Sequence, residues 1–255
     1  MRLRVLGCSG GIGAGLKTTS TLIDDDLLID AGTGVGDLSL DQLARIRHVF
    51  LTHSHIDHIA SLPLMLDSVY DQLVENPLMV HARHETIDAL RKHLFNDVLW
   101  PDFTRIPTPE NPVIQFSPLE PGESVQVGDR TLLSVDVKHS VPAVGYVLQT
   151  TDRTVGFSGD TTTNKTLWPV LNACQRVDVL VIEVSFPNSL EELATAVGHY
   201  CPKTLAEDLE RLEHQPDIWL TAMKPGEEHR IYKELFDAVP DRRVRWLTSG
   251  DYFEL

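Results

Sequence analysis

Cysteine is scarce in this chain: Cys8, Cys174 and Cys201 are the three among 255 residues, widely spaced and with no CxxC pair. That excludes a disulfide-stapled scaffold and a cysteine-built zinc site, and it leaves the thiols as reduced, mostly structural groups. Long apolar runs are missing as well. The opening MRLRVLG alternates instead of forming the apolar stretch of a leader, and no later run approaches a membrane span, so a soluble cytoplasmic protein is expected. Cations are in deficit, with 22 Lys and Arg against 37 Asp and Glu and a net charge of -15 with neutral histidines. Such a surface argues against gripping an extended phosphate backbone. There is no low-complexity tract and no Gly/Ser linker, so residues 1–255 read as a single domain with length enough for a sizeable core.

What the chain does carry is a succession of strand and helix patterns. A strand near Leu3 to Leu6 leads into a glycine-rich loop, GCSGGIGAG, and then a hairpin, STLIDDDLLIDAG, with a polar turn at Asp24 to Asp26 and a second strand ending on Asp30. VGYVLQTTDRTVGFSGD repeats that plan and ends on Asp160, a faint sign of a duplicated hairpin unit. RIRHVFLT reads as a buried strand. HIASLPLMLDSVYDQL places Ile59, Leu62, Leu66, Val69 and Leu73 at helical spacing, with Pro63 in the first turn. Residues 84–99 read as an amphipathic helix and the proline-rich 100–122 as a long ordered loop. From Val177 onward, strand and helix alternate through VDVLVIEVSF, PKTLAEDLERLEH, DIWLTAMK and RIYKELFDAV.

The chemistry concentrates in HVFLTHSHIDHIASL. His53 and His55 are two apart, so an extended strand end points them the same way, and Asp57 and His58 follow as the chain turns. A lone histidine there would be a polar loop residue or a helix cap. Imidazoles and a carboxylate crowded at one strand tip are instead the donors of a divalent metal site.

This pattern and its setting resemble the metallo-β-lactamase superfamily, an α/β fold built as an αββα sandwich, two mixed sheets flanked by helices, with one or two metal ions at the strand ends. The resemblance covers nearly the whole chain. It implies that His53, His55 and His139 of VDVKHSVPAVGY hold a first ion, that Asp57 and His58 hold a second, and that Asp160 of SGDTT bridges the two. On local grounds alone Asp160 is equally a hairpin-ending or N-cap residue. Asp30 is implied as a hydrogen-bonding support of the metal loop. Zinc is the first expectation, and the mixed imidazole and carboxylate donors suit manganese or iron too.

Within the superfamily, THSHIDHIASLPLMLDS, IDAGTG, SGDTT, IEVSFPN and KP fall in an order that looks like the class II 3′,5′-cyclic-nucleotide phosphodiesterases, relatives of ribonuclease Z. That likeness implies hydrolysis of a small phosphodiester such as cyclic AMP by attack of a metal-bound hydroxide. VGHYCP resembles the segment that protonates the leaving group, which makes His199 the general acid and Glu183 its orienting partner, with Asp57 counted in the same catalytic set. An acidic residue inside VDVLVIEVSF is costly to bury without such a partner. Lys224 reads as an ordinary solvated lysine ahead of a phosphate contact, and Thr161, Thr162 and Thr163 as turn and helix-start residues. His48, His81, His84 and His93 read as ordinary strand or helix positions.

One position departs from the pattern. These enzymes place a final histidine just before KP or SP as the last ligand of the second ion, and here the matching residue is Ala222 of WLTAMKPGEEH. His229 and His214 are weak substitutes. Other readings therefore stay open: a ribonuclease Z-like nuclease, although no basic glycine-rich arm is present; a thioesterase or lactonase; or a metal- or ligand-binding protein that has lost activity. The expected partner is a small-molecule phosphodiester, with no membrane and no extended nucleic acid, and the resemblance allows a homodimer.

Overall fold

The computed structural model describes residues 1–255. Its backbone divides into two compact units, one made of Met1–Gly7, Lys17–Leu119 and Ser249–Leu255, the other of Cys8–Leu16 and Glu120–Thr248. Each unit holds one seven-stranded mixed sheet.

In the first unit the strands lie in the order Tyr252–Glu254, Arg2–Gly7, Ser20–Ile23, Leu27–Ile29, His48–Phe50, Leu78–Ala82 and Ile114–Pro118. The neighbours up to Leu27–Ile29 are antiparallel and the later ones parallel. Asp24, in the left-handed region at φ 50°, turns the hairpin where the polar run predicts it. Val49, Leu78 and Val80 of the parallel strands pack with Leu62, Met65 and Leu66 from the Leu62–Ser68 helix and with Ile87 and Leu90 from His84–His93.

In the second unit the order is Arg243–Trp246, Asp217–Thr221, Val179–Glu183, Thr154–Phe157, Ala143–Gln149, Arg130–Val137 and Ser124–Val127. Here too the hairpin strands are antiparallel, and the strands from Thr154–Phe157 to Arg243–Trp246 are parallel. Val179–Glu183 is buried along its whole length, which accounts for its unbroken apolar run. Leu180, Ile182, Ile218 and Leu220 pack with Leu171, Leu205, Leu209, Ile231 and Leu235 from the helices of this unit. The faint internal repeat is thus a repeat of topology: in both units a hairpin hands over to parallel strands.

The sequence pattern and the structure differ at three places. HIASLPLMLDSVYDQL forms Ile56–Ile59, Leu62–Ser68 and Tyr70–Glu75 instead of one helix. Pro63 has no N–H and so serves as the first turn of a new helix, and Val69 interrupts the run again at φ -124° and ψ 29°. The next helix stops at His93, short of residue 99. The proline-rich 100–122 is no continuous loop: it contains a small Pro107–Thr108 and Asn111–Pro112 pairing and the edge strand Ile114–Pro118. An edge position tolerates Pro118 because one side of the strand needs no donors. No helix is long and apolar enough to cross a membrane.

His81 is also not the ordinary strand residue its pattern suggests. It is buried, its ring stacks on Phe50 at 4.3 Å, and its Nε2 lies 3.1 Å from His48 Nδ1. Burial, aided by His48, pulls its pKa from 6.5 to about 4. The unfolded chain therefore binds the extra proton first, and stability is full above pH 6.5 and declines as pH falls towards 4. The linkage amounts to about 3 kcal/mol. Urea unfolding of wild type and His81→Phe across that range should show a steeper pH slope for wild type; equal slopes would remove His81 from the effect.

Candidate metal centre

In the first unit the His48–Phe50 strand is followed by Leu51 and Thr52, and the chain then presents His53 and His55 before turning into the Ile56–Ile59 helix that carries Asp57 and His58. The His53 ring lies 4.6 Å from that of His55 and 4.3 Å from that of His58. Asp30, buried at the end of the first hairpin with φ 58°, braces the group. Its carboxylate accepts the Thr52 N–H at 2.8 Å and lies 2.7 Å from His58 Nδ1. Against that acceptor Nδ1 carries the proton, and Nε2 carries the lone pair that a metal needs. Ala31 N–H donates to His58 O at 2.7 Å. Gly32 follows because any Cβ there would stand 2.5 Å from Asp57 O.

In the second unit His139 follows Arg130–Val137, Asp160 follows Thr154–Phe157, and His199 follows the left-handed Gly198 that ends Glu191–Val197. Ligand atoms of these three residues lie within 4.8 Å of one another. His139 Nδ1 donates to Gly198 O at 2.8 Å. A Cβ on Gly198 would meet Ser140 N at 2.9 Å, so both its φ of 80° and this close approach require glycine.

Glu183, with no exposed surface, ends the Val179–Glu183 strand beside His199. Its Oε1 lies 2.9 Å from His199 Nδ1 and accepts the N–H groups of Thr161 and Tyr200, and its Oε2 accepts the Ser185 hydroxyl. Burial pushes the Glu183 carboxyl above the ordinary carboxylate range, against the pull of His199. Burial lowers His199, but the adjacent Glu183 carboxylate outweighs it, so the imidazole is more basic than usual.

His58 and His139 have Nδ1 committed to a carboxylate and a carbonyl, which leaves Nε2 of each to a metal, and Asp57 and Asp160 add carboxylate oxygens, a donor chemistry that fits a divalent ion. His199 stands with His139 and Asp160, closer to the donor set than a reading as proton donor alone requires.

Ala222 is buried at φ 60°, its N–H on Cys8 O at 2.7 Å and its O accepting the Ser185 hydroxyl at 2.9 Å. His229 lies against the Trp246 ring at 4.7 Å, and His214 Nε2 is 3.1 Å from Cys174 O. Both are engaged elsewhere. Lys224 is half-buried, which corrects its reading as a solvated lysine. Thr161 and Thr162 are buried residues of the loop after Thr154–Phe157, with the Thr161 hydroxyl donating to the backbone. No sequence pattern marks Thr52, whose hydroxyl lies between Asp30 and His53 at 3.0 Å from each, or Ser185, whose hydroxyl is 3.2 Å from His199 Nδ1.

Residues 26–221 match the family described as the β-lactamase superfamily domain. The 3′,5′-cyclic-nucleotide phosphodiesterase 1 of Saccharomyces cerevisiae is 41% identical over 59 residues, 23% of this chain and 16% of that protein. A probable 3′,5′-cyclic-nucleotide phosphodiesterase of Yersinia pestis is 26% identical over 254 residues, covering 82% of this chain and 71% of that protein. A ribonuclease Z of Methanopyrus kandleri is 27% identical over 155 residues, 58% of this chain and 50% of that protein. The chain thus spans half or less of the length of the Saccharomyces and Methanopyrus relatives. The solved structure of unliganded yeast PDE1 has the same fold, with a TM-score of 0.84 at 18% identity over 100% of this chain and 99% of that one.

Proposed function

The chain belongs to the metallo-β-lactamase superfamily, and on that premise we propose that it is a metal-dependent hydrolase of a small phosphodiester, a 3′,5′-cyclic nucleotide such as cyclic AMP first among them. His53, His55, Asp57 and His58, with His139 and Asp160, are the proposed ligands of one or two divalent ions, zinc before manganese or iron. Bound there, an ion supplies Lewis-acid charge and lowers the pKa of a coordinated water towards neutrality.

The chain's own residues supply the rest. The observation that carries the reading is the buried Glu183 on His199 Nδ1 at 2.9 Å. It holds the imidazole by one nitrogen, keeps it protonated to higher pH, and reserves the Nε2 proton for the leaving oxygen. Asp30 fixes the tautomer of His58 through Nδ1. Asp57, half-buried beside His58, places a second carboxylate in the catalytic set.

The test is hydrolysis of cyclic AMP by protein reloaded in turn with zinc, manganese and iron, with His55→Ala as the blank. Metal-dependent turnover missing from the blank supports the reading; turnover of a chromogenic thioester or lactone but of no phosphodiester would replace it. Ala222→His, which restores the histidine that the family resemblance expects, should tighten the second ion by about tenfold or more, the scale on which even outer partners of a metal act. Metal titration of the two proteins measures this, and equal affinities would take position 222 out of the site.

A further inference from the structure

We propose that Lys224 binds a phosphoryl oxygen of the substrate, as the cationic arm of an anion subsite beside His199. This inference rests on the phosphodiesterase reading and adds to it the group that recognises the phosphate.

The first observation is the environment of the ammonium. Lys17, Lys203 and Lys233 each pair with a carboxylate, and Lys92, Lys138 and Lys165 are exposed. Lys224 alone among the lysines is half-buried without a carboxylate partner. Its Nζ donates to Gly10 O at 2.8 Å and lies 5.6 Å from the centre of the Phe186 ring. A carbonyl and a ring hold a cation in place but leave its charge uncompensated, and an ammonium has three protons to give. In a chain of net charge -15, a half-buried cation kept from every carboxylate is positioned for an anion that arrives from outside.

The second observation is its attachment to the acid. The Lys224 N–H donates to Ser185 O at 3.1 Å, and the Ser185 hydroxyl lies 3.2 Å from His199 Nδ1. Phe186, whose face Lys224 covers, sets its ring against His199 at 5.7 Å. The glycine-rich loop from Cys8 to Leu16 supplies the anchor: Gly10 N–H donates to Met223 O at 2.9 Å, and a Cβ on Gly10 would stand 2.2 Å from Ala222 O. Glycine there lets the loop dock onto the 222–225 turn and aims its carbonyl at Nζ. A phosphate bridging Lys224 and the leaving-group acid would then have one oxygen on the ammonium and the ester oxygen towards His199.

The experiment uses zinc-reloaded wild type, Lys224→Gln and Lys224→Arg. Binding of inorganic phosphate is followed by calorimetry, and kcat/KM is measured for bis(4-nitrophenyl) phosphate. Loss of a charge-assisted hydrogen bond predicts that Lys224→Gln weakens phosphate about tenfold or more and lowers kcat/KM by a similar factor, mostly through KM. Lys224→Arg, which keeps the charge but not the shape of the ammonium, should bind phosphate more tightly than Lys224→Gln. A folded Lys224→Gln protein with wild-type phosphate affinity and KM would overturn the subsite while leaving the phosphodiesterase reading intact. A wild type that neither binds phosphate nor cleaves the diester with any metal would take down both.

Discussion

His199→Ala is expected to lower kcat for a phosphodiester by about 10²–10⁴-fold while metal content and KM stay close to wild type. The magnitude is that of a positioned proton donor. The geometry behind it is the imidazole fixed through Nδ1 on Glu183 at 2.9 Å and supported by the Ser185 hydroxyl at 3.2 Å. A diester with a good leaving group needs little protonation, so the loss should shrink for bis(4-nitrophenyl) phosphate relative to cyclic AMP. Elemental analysis of the variant decides how the number is read. His199 shares a donor group with His139 and Asp160; if an ion is lost with the side chain, His199 is a ligand and the proton comes from elsewhere.

Glu183→Ala should destabilise the protein by about 3–5 kcal/mol, the cost of stripping the partner from a buried, hydrogen-bonded charge. Thr161 N–H, Tyr200 N–H, the Ser185 hydroxyl and His199 Nδ1 all converge on this carboxylate, and none of it reaches solvent. Truncation leaves those donors facing a void. Glu183→Gln keeps the shape and one oxygen, so it should cost less stability while still impairing His199, whose imidazolium then lacks its counter-charge. Urea midpoints beside kcat for the two variants separate these effects. Equal stability for Glu183→Ala and wild type would mean that the carboxylate is not the hub its contacts describe.

The legible part of the site was the part written contiguously. His53, His55, Asp57 and His58 sit within six consecutive positions, and Asp30 and Asp160 end hairpins whose apolar strands flank a polar turn. Glu183 could be singled out because a carboxylate in an apolar strand demands a partner. Ser185 and Thr52 could not, since a hydroxyl gains its role only from neighbours that folding delivers. The half-burial of Lys224 is hidden from the sequence for a similar reason: its ammonium is held by the carbonyl of Gly10, 214 positions away in the chain. In the fold, the hairpins and the parallel strands were predictable from apolar runs, whereas Ile114–Pro118 was hidden by prolines that matter less at a sheet edge than in its middle.

The two hairpins also end in similar corners with different duties. Asp30 and Asp160 stand at comparable places, each soon after the second hairpin strand and before a parallel one, where both segments pass through the left-handed region, at Asp30 itself with φ 58° and at Gly159, one residue before Asp160, with φ 59°. The first carboxylate is spent on the tautomer of an imidazole, while the second stands in a cluster with two imidazoles of its own. The same kind of backbone corner thus serves two chemical tasks, and the difference between them lies in the neighbouring side chains.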